Sequence, residues 1–267
     1  FPRYSEYYGT IKESGIGLAC EEAARIILSE NRPFSMETAA CDEEYEPSSE
    51  YDSSFALQIF AAREAVFKIL AKESLSIHEK LIVILDMGSK IQQCINTDEY
   101  DNIKSVVNDY LKEGIAHTLD ETRNLSDSGQ FEDISLQQGI RQILYPYEEM
   151  EVLNPEWEVI LKDIIDSLFE QMSDEEYNIL NEEFGTYMVS RAYEYRQLLE
   201  YLVFRYFAKS IYDYDFLGKC QMLVTNFFVI RQMDIIRWLD NHREYSFKDR
   251  MDVVHIFSRQ VEYSEDN

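Results

Sequence analysis

The chain has 267 residues, 45% of them hydrophobic, enough for one large core or two small ones. Its 51 Asp and Glu outnumber 25 Lys and Arg, for a net charge of −26. That balance excludes nucleic acid, whose affinity comes mainly from Lys and Arg on phosphates, and it disfavours an anionic membrane surface. Residues 1–190 carry 39 acidic against 14 basic side chains, while Arg191–Arg259 carry 9 against 11. A basic substrate or partner would be drawn to the acidic part, but a solvated face that keeps a Tyr- and Phe-rich protein soluble is the simpler account. The chain opens on Phe1 rather than Met and is read as a piece of a longer protein. No export signal opens it, and Cys20, Cys41, Cys94 and Cys220 show no pairing pattern, so reduced thiols in the cytoplasm are expected.

Taken in order, Phe1–Lys12 is Tyr-rich and reads as extended or irregular. Glu21–Ser29 reads as a short helix with acidic residues in its first turn, and residues 31–52 as a loop carrying the acidic run Asp42–Asp52. Phe55, Ile59, Ala62, Val66, Ile69 and Leu70 recur at helical period. Ser76 and Glu79 form a capping box, in which each side chain takes a free backbone N–H at a helix start. A helix from near Thr97 uses Ile103, Val106, Val107, Tyr110 and Leu111; the polar residues 121–133 read as a loop, and 134–145 as a weaker helix. Asn154-Pro155 is a cap before a first-turn proline, Ser173 and Glu176 form a second box, and Ser246 with Asp249 opens a last helix.

Between them, Arg196–Asp240 holds two long apolar runs joined by a turn at Asp213–Gly218. In the first run only the stripe of Arg196, Glu200, Arg205 and Lys209 is left to face water. The second is apolar on nearly every side, yet its longest uncharged piece, Cys220–Ile230, is far short of the ~20 residues of a membrane span. These are core helices. The expected fold is all-α: a compact antiparallel multi-helix bundle around two central apolar helices, spanning 53–267, preceded by an irregular segment over 1–52 with one short helix.

Chemistry-bearing motifs are few. Gly15-x-Gly17-x-x-Cys20 imitates a dinucleotide loop, but the third Gly is Cys20 and no βαβ unit follows. His78, His117, His242 and His255 are scattered and read as capping or surface residues, and no CxxC spacing offers a zinc or iron–sulfur site. A stripe of tyrosines from Tyr187 to Tyr214 could line a channel for a lysine side chain, although core packing with hydroxyls at the surface explains it more simply.

In four segments the residues resemble the flagellin lysine-N-methylase family. Phe1-Pro-Arg-Tyr4 is similar to the segment after that family's cysteine-rich N-terminal region, and Gly17-Leu-Ala-Cys20-Glu-Glu22 through Leu28 to its Ser-Cys-Pro-Glu-Ala-Ala-Arg-Leu stretch. Leu199–Lys209 and Phe257–Glu262 are similar to its two C-terminal segments. Glu21, Glu200 and Tyr263 depart from the family's Pro, Asn and His. The resemblance implies methyl transfer from S-adenosylmethionine to the ε-amine of flagellin lysines, with flagellin as partner. It also implies an iron–sulfur cluster held mainly by a cysteine-rich segment that would lie before Phe1, which leaves Cys20 as the candidate metal ligand here. Glu200, Tyr201 and Arg205, on the helix that bears the motif, are the candidate catalytic residues. The chain alone is expected to hold no cluster and to be inactive. The alternative is a non-catalytic helical protein-interaction module.

Overall fold

The computed structural model describes residues 3–40, 52–128 and 134–262. Among them the chain is helical apart from one antiparallel hairpin, β1 (Arg3–Tyr8) and β2 (Ile11–Ile16). The helices are α1 (Glu21–Leu28), α2 (Ser53–Leu70), α3 (Ile77–Asn96), α4 (Ile103–Asp109), α5 (Ile115–Asp127) and α6 (Leu136–Glu148). They continue as α7 (Pro155–Ile164), α8 (Asp174–Tyr187), α9 (Ala192–Tyr206), α10 (Ser210–Asp213), α11 (Phe216–Asp240) and α12 (Phe247–Val261). No helix among the described residues is long and apolar enough to cross a membrane.

The two apolar runs are α9 and α11, and they occupy the middle. α11 packs on α3, α6, α7, α9 and α12, while α9 packs on α1, α2 and α3. Leu199, Phe207, Leu223, Phe227 and Ile230 are all buried. α3 crosses α11 at Gly88, where an added Cβ would stand 2.6 Å from Cys220 Sγ, so only glycine allows that approach. Helix starts follow the local signals. The boxes at Ser76–Glu79, Ser173–Glu176 and Ser246–Asp249 all form, as does the Asn154 cap before Pro155. Ser173 Oγ accepts from Glu176 N at 3.3 Å while the Glu176 carboxylate accepts from Ser173 N at 2.9 Å. Ser173→Ala is expected to cost about 1 kcal/mol in urea unfolding. An unchanged midpoint would show that α8 is held by packing alone.

Three expectations are corrected and one is resolved. Of the two forms left open for Phe1–Lys12, the extended one is found: Arg3–Tyr8 pairs with Ile11–Ile16, and Gly9 takes φ 59°, which suits the first position of a tight hairpin turn. α5 runs on to Asp127 through part of the supposed polar loop, and it joins α4 through a π-helical turn at Tyr110–Gly114. That turn carries Tyr110 and Thr118 to hydrogen bonds with Asp86; residues 129–133 and the acidic run 42–51 lie outside the described residues. The tyrosine hydroxyls do not reach the surface at Tyr195, Tyr201 and Tyr206, which are buried and bonded to Asp234 or Glu262. Lastly, the charged stripe of α9 does not face open water. Glu200 is only 2% exposed, and Arg196 and Arg205 are engaged in ion pairs.

Candidate functional site

What covers that stripe is the N-terminal part of the chain. Gln197, Glu200, Tyr201 and Phe204 lie at successive i, i+3, i+4 and i+7 positions, hence on one face of α9. Opposite them stand Tyr4 and Gly15 of the hairpin, Ile26 and Ile27 of α1, and a strap at residues 32–35 that includes Phe34. Together they enclose a cavity of about 280 Å³. Its walls are apolar and aromatic. Phe34 is fixed by stacking on Phe67 at 4.2 Å and by its tilted contact with Phe204.

Gly15 has a purpose here that differs from a phosphate loop. It faces Tyr4 across the hairpin, and a Cβ at Gly15 would lie 2.5 Å from the Tyr4 hydroxyl. The glycine therefore makes room for a phenol ring at the cavity wall, and the dinucleotide resemblance has no structural counterpart.

Three polar groups break the apolar lining. The Glu200 carboxylate accepts two hydrogen bonds from Arg196 Nη1, at 2.8 and 2.9 Å. Burial pushes its carboxyl above the ordinary range, and Arg196 only partly offsets this. Gln197 is 6% exposed; its amide nitrogen donates to Glu30 O, leaving its Oε1 with no hydrogen-bond partner. The Tyr4 hydroxyl is likewise buried without a partner. Unsatisfied buried polar atoms are rare and costly in native proteins, so two of them beside a cavity mark a place where a ligand can supply the missing bonds. Arg196 also ties the site to the strap, donating to Asn31 Oδ1 at 2.8 Å and Arg32 O at 3.0 Å.

Of the three residues singled out from the sequence, Glu200 and Tyr201 line this cavity. Arg205 stands behind it, pairing with Glu262 at 2.9 Å and lying over the Tyr4 ring at 4.2 Å. Tyr201 bridges the two places. Its ring lines the cavity while its hydroxyl accepts from Leu18 N at 3.4 Å and donates to Glu262 Oε2 at 2.8 Å. Burial raises the Tyr201 phenol, and the neighbouring Glu262 carboxylate raises it further, so it stays protonated as a donor. Sequence reasoning missed Gln197, Phe204, Tyr4 and Phe34. The spacing of the first two from Glu200 was the available signal.

The metal candidate fares differently. Cys20 is half-buried at the N-cap of α1, the helix start expected for it, but its side chain makes no cap bond. Cys94 and Cys220 are buried, and burial pushes both thiols up, against thiolate formation. Among the described residues no three His, Cys, Asp or Glu side chains are placed to hold a metal ion. The described residues therefore do not fit an iron–sulfur cluster. A cation fits better: aromatic faces around a carboxylate suit an ammonium or a sulfonium. At about 280 Å³ the cavity is just under the size usual for whole small-molecule ligands, and suits the end of a side chain.

The fold and this cavity define a helical protein with a small aromatic-walled pocket, holding one buried carboxylate, on its central helix. The model of the FliB lysine N-methylase C-terminal domain matches residues 63–267, well over half of the chain, and the chain belongs to that family. The match takes in α9 with Glu200, Tyr201 and Arg205, and begins after the hairpin, Cys20 and the strap. Neither the curated proteins nor the solved structures gave a match.

Proposed function

We propose that this chain takes part in methyl transfer to lysine side chains of flagellin, and that the cavity on α9 receives the lysine. The observation that carries this reading is a buried carboxylate, Glu200, beside an unpartnered amide oxygen in an aromatic-walled cavity sized for an alkylammonium. When bound, S-adenosylmethionine supplies a methyl group on a positively charged sulfur, which keeps the bonding electron pair as the methyl moves. The chain's own residues do the rest. Tyr4, Phe34 and Phe204 pack the four-carbon stem, and Gln197 Oε1 accepts an N–H from the amine and orients it.

An ammonium has no lone pair and cannot attack, so its proton must leave first. Glu200 is suited to take it. Its raised carboxyl lies closer to neutrality than that of an exposed glutamate, so it is the stronger base of the two. Arg205 and Tyr201 act through Glu262, holding α9 against α12 and the hairpin, so Arg205 is a positioning residue.

The test is to incubate the full-length protein with flagellin and methyl-labelled S-adenosylmethionine and to map methylated lysines by mass spectrometry. Label on flagellin lysines is the expected result. Stable flagellin capture without label would favour a non-catalytic interaction module instead.

A further inference from the structure

A second, larger cleft adjoins the lysine cavity. It has a volume of about 600 Å³ and lies between Ile11–Ser14 of β2 and residues 34–39 of the strap. The two cavities share Phe34, Ser35 and Phe204, and they follow the same strand: the cleft runs along Ile11–Ser14 and the pocket continues at Gly15 and Ile16. Nothing in the family match reaches this strand, which ends well before residue 63.

The register of the hairpin decides what β2 offers there. The turn at Gly9–Thr10 closes the pair Tyr8 with Ile11. In a hairpin with a two-residue loop that closing pair exchanges both backbone hydrogen bonds, and the bonded and non-bonded pairs then alternate. Glu13 and Gly15 thus bond to β1, whereas Ser14 and Ile16 turn their N–H and C=O away from it. No backbone hydrogen bond takes these outward groups among the described residues. On the other side of the hairpin, the outer edge of β1 is met by Tyr212, whose hydroxyl donates to Tyr7 O at 2.6 Å. Among the described residues, the strand edge left open at Ser14 and Ile16 is therefore that of β2, next to the pocket.

We infer that the cleft receives the substrate backbone in extended form, paired to the outer edge of β2, with its lysine turned into the cavity on α9. This rests on the lysine reading above and adds the substrate's conformation. Strand addition suits the geometry, because main-chain bonds give affinity for any sequence while a pocket reads a single side chain. A peptide paired at Ser14 and Ile16 has alternate side chains directed to one face, so one lysine reaches the cavity while its neighbours on either side do not. The Ser14 hydroxyl is already engaged with Ser5 Oγ at 2.8 Å, so the backbone of Ser14 is the recognition element.

The test uses fluorescence anisotropy with the full chain and a labelled peptide of about nine Ser, Thr and Ala residues around one central lysine. N-methylation of the peptide amides on one alternating set is expected to weaken binding by about fivefold or more, and on the other set to leave it unchanged. Ser14→Pro removes the outward N–H without touching a β1 bond and is expected to weaken binding similarly, whereas Ser14→Ala retains it. Unfolding midpoints of both variants report whether the hairpin survives, and the N-methylated peptides test the same bonds without altering the protein. Norleucine in place of lysine is expected to weaken binding about tenfold; equal binding would remove the lysine pocket and this inference with it. Lysine-dependent binding that tolerates both N-methylation sets would overturn strand pairing and leave the pocket standing. No measurable binding by any of the peptides would also overturn it.

Discussion

Replacing Arg250 by Met is expected to destabilise the protein by about 3–5 kcal/mol, seen as a large fall in the midpoint of urea unfolding. Arg250 is 1% exposed and sits between two carboxylates as deeply buried as itself. Its Nη1 bonds Asp234 Oδ2 at 2.5 Å and its Nε bonds Glu194 Oε2 at 3.0 Å, while its carbon centre lies 4.3 Å from the Tyr195 ring. Tyr195 and Tyr245 complete the shell of Asp234, and Arg191 that of Glu194. The network joins α9, α11 and α12 at the centre of the bundle. Met matches the bulk of Arg but leaves the Asp234 charge with phenol donors alone. Adding Asp234→Asn to Arg250→Met should therefore recover part of the loss, since the cost lies in an uncompensated buried charge. A loss below about 1 kcal/mol in the single variant would mean that water reaches the network.

The contrast between these buried charges and the caps shows what a sequence exposes. A capping box is closed within four residues, so Ser76–Glu79, Ser173–Glu176 and Ser246–Asp249 could be read from the chain directly. The burial of α9 and α11 was equally legible, because continuous apolar character leaves a helix nowhere else to go. Glu200 was not. A helical wheel shows that Arg196, Glu200 and Arg205 share a side, but not that Tyr4, Ile26 and Phe34, from well over a hundred residues away, cover it. Arg250 and Asp234 were hidden for the same reason: each is a charge whose partner lies on another helix. Glu262 was half visible, as the last residue of a motif-bearing segment, yet its partners Tyr201, Arg205 and Tyr206 all sit on another helix. The hairpin escaped because Gly15 suggests a loop until Tyr4 is seen to fill the space it leaves.

Glu200→Gln is expected to lower methyl transfer by about 10²- to 10⁴-fold in kcat, the range typical of losing a general base, while the protein remains folded. Folding should survive because Gln keeps the shape and one oxygen for Arg196. The sign of the charge effect also favours it. Glu200 has its folded-state carboxyl raised by burial, so the folded form holds a proton that the unfolded form has lost. The native protein therefore gives up stability as pH rises through that window, and the Gln variant does not. The same shift sets the pH profile of the reaction. In the native protein, activity should climb with pH as Glu200 ionises, on a limb above the ordinary carboxylate range. In Glu200→Gln that limb disappears, and the residual rate follows deprotonation of lysine itself, near pH ~10.4 when unperturbed. Arg196→Met supplies the independent arm. Removing the cation that lowers Glu200 should move the limb to higher pH without abolishing the plateau, an effect that a purely structural role for Glu200 would not produce. An unshifted limb in Arg196→Met, or an intact limb in Glu200→Gln, would take the proton transfer away from Glu200.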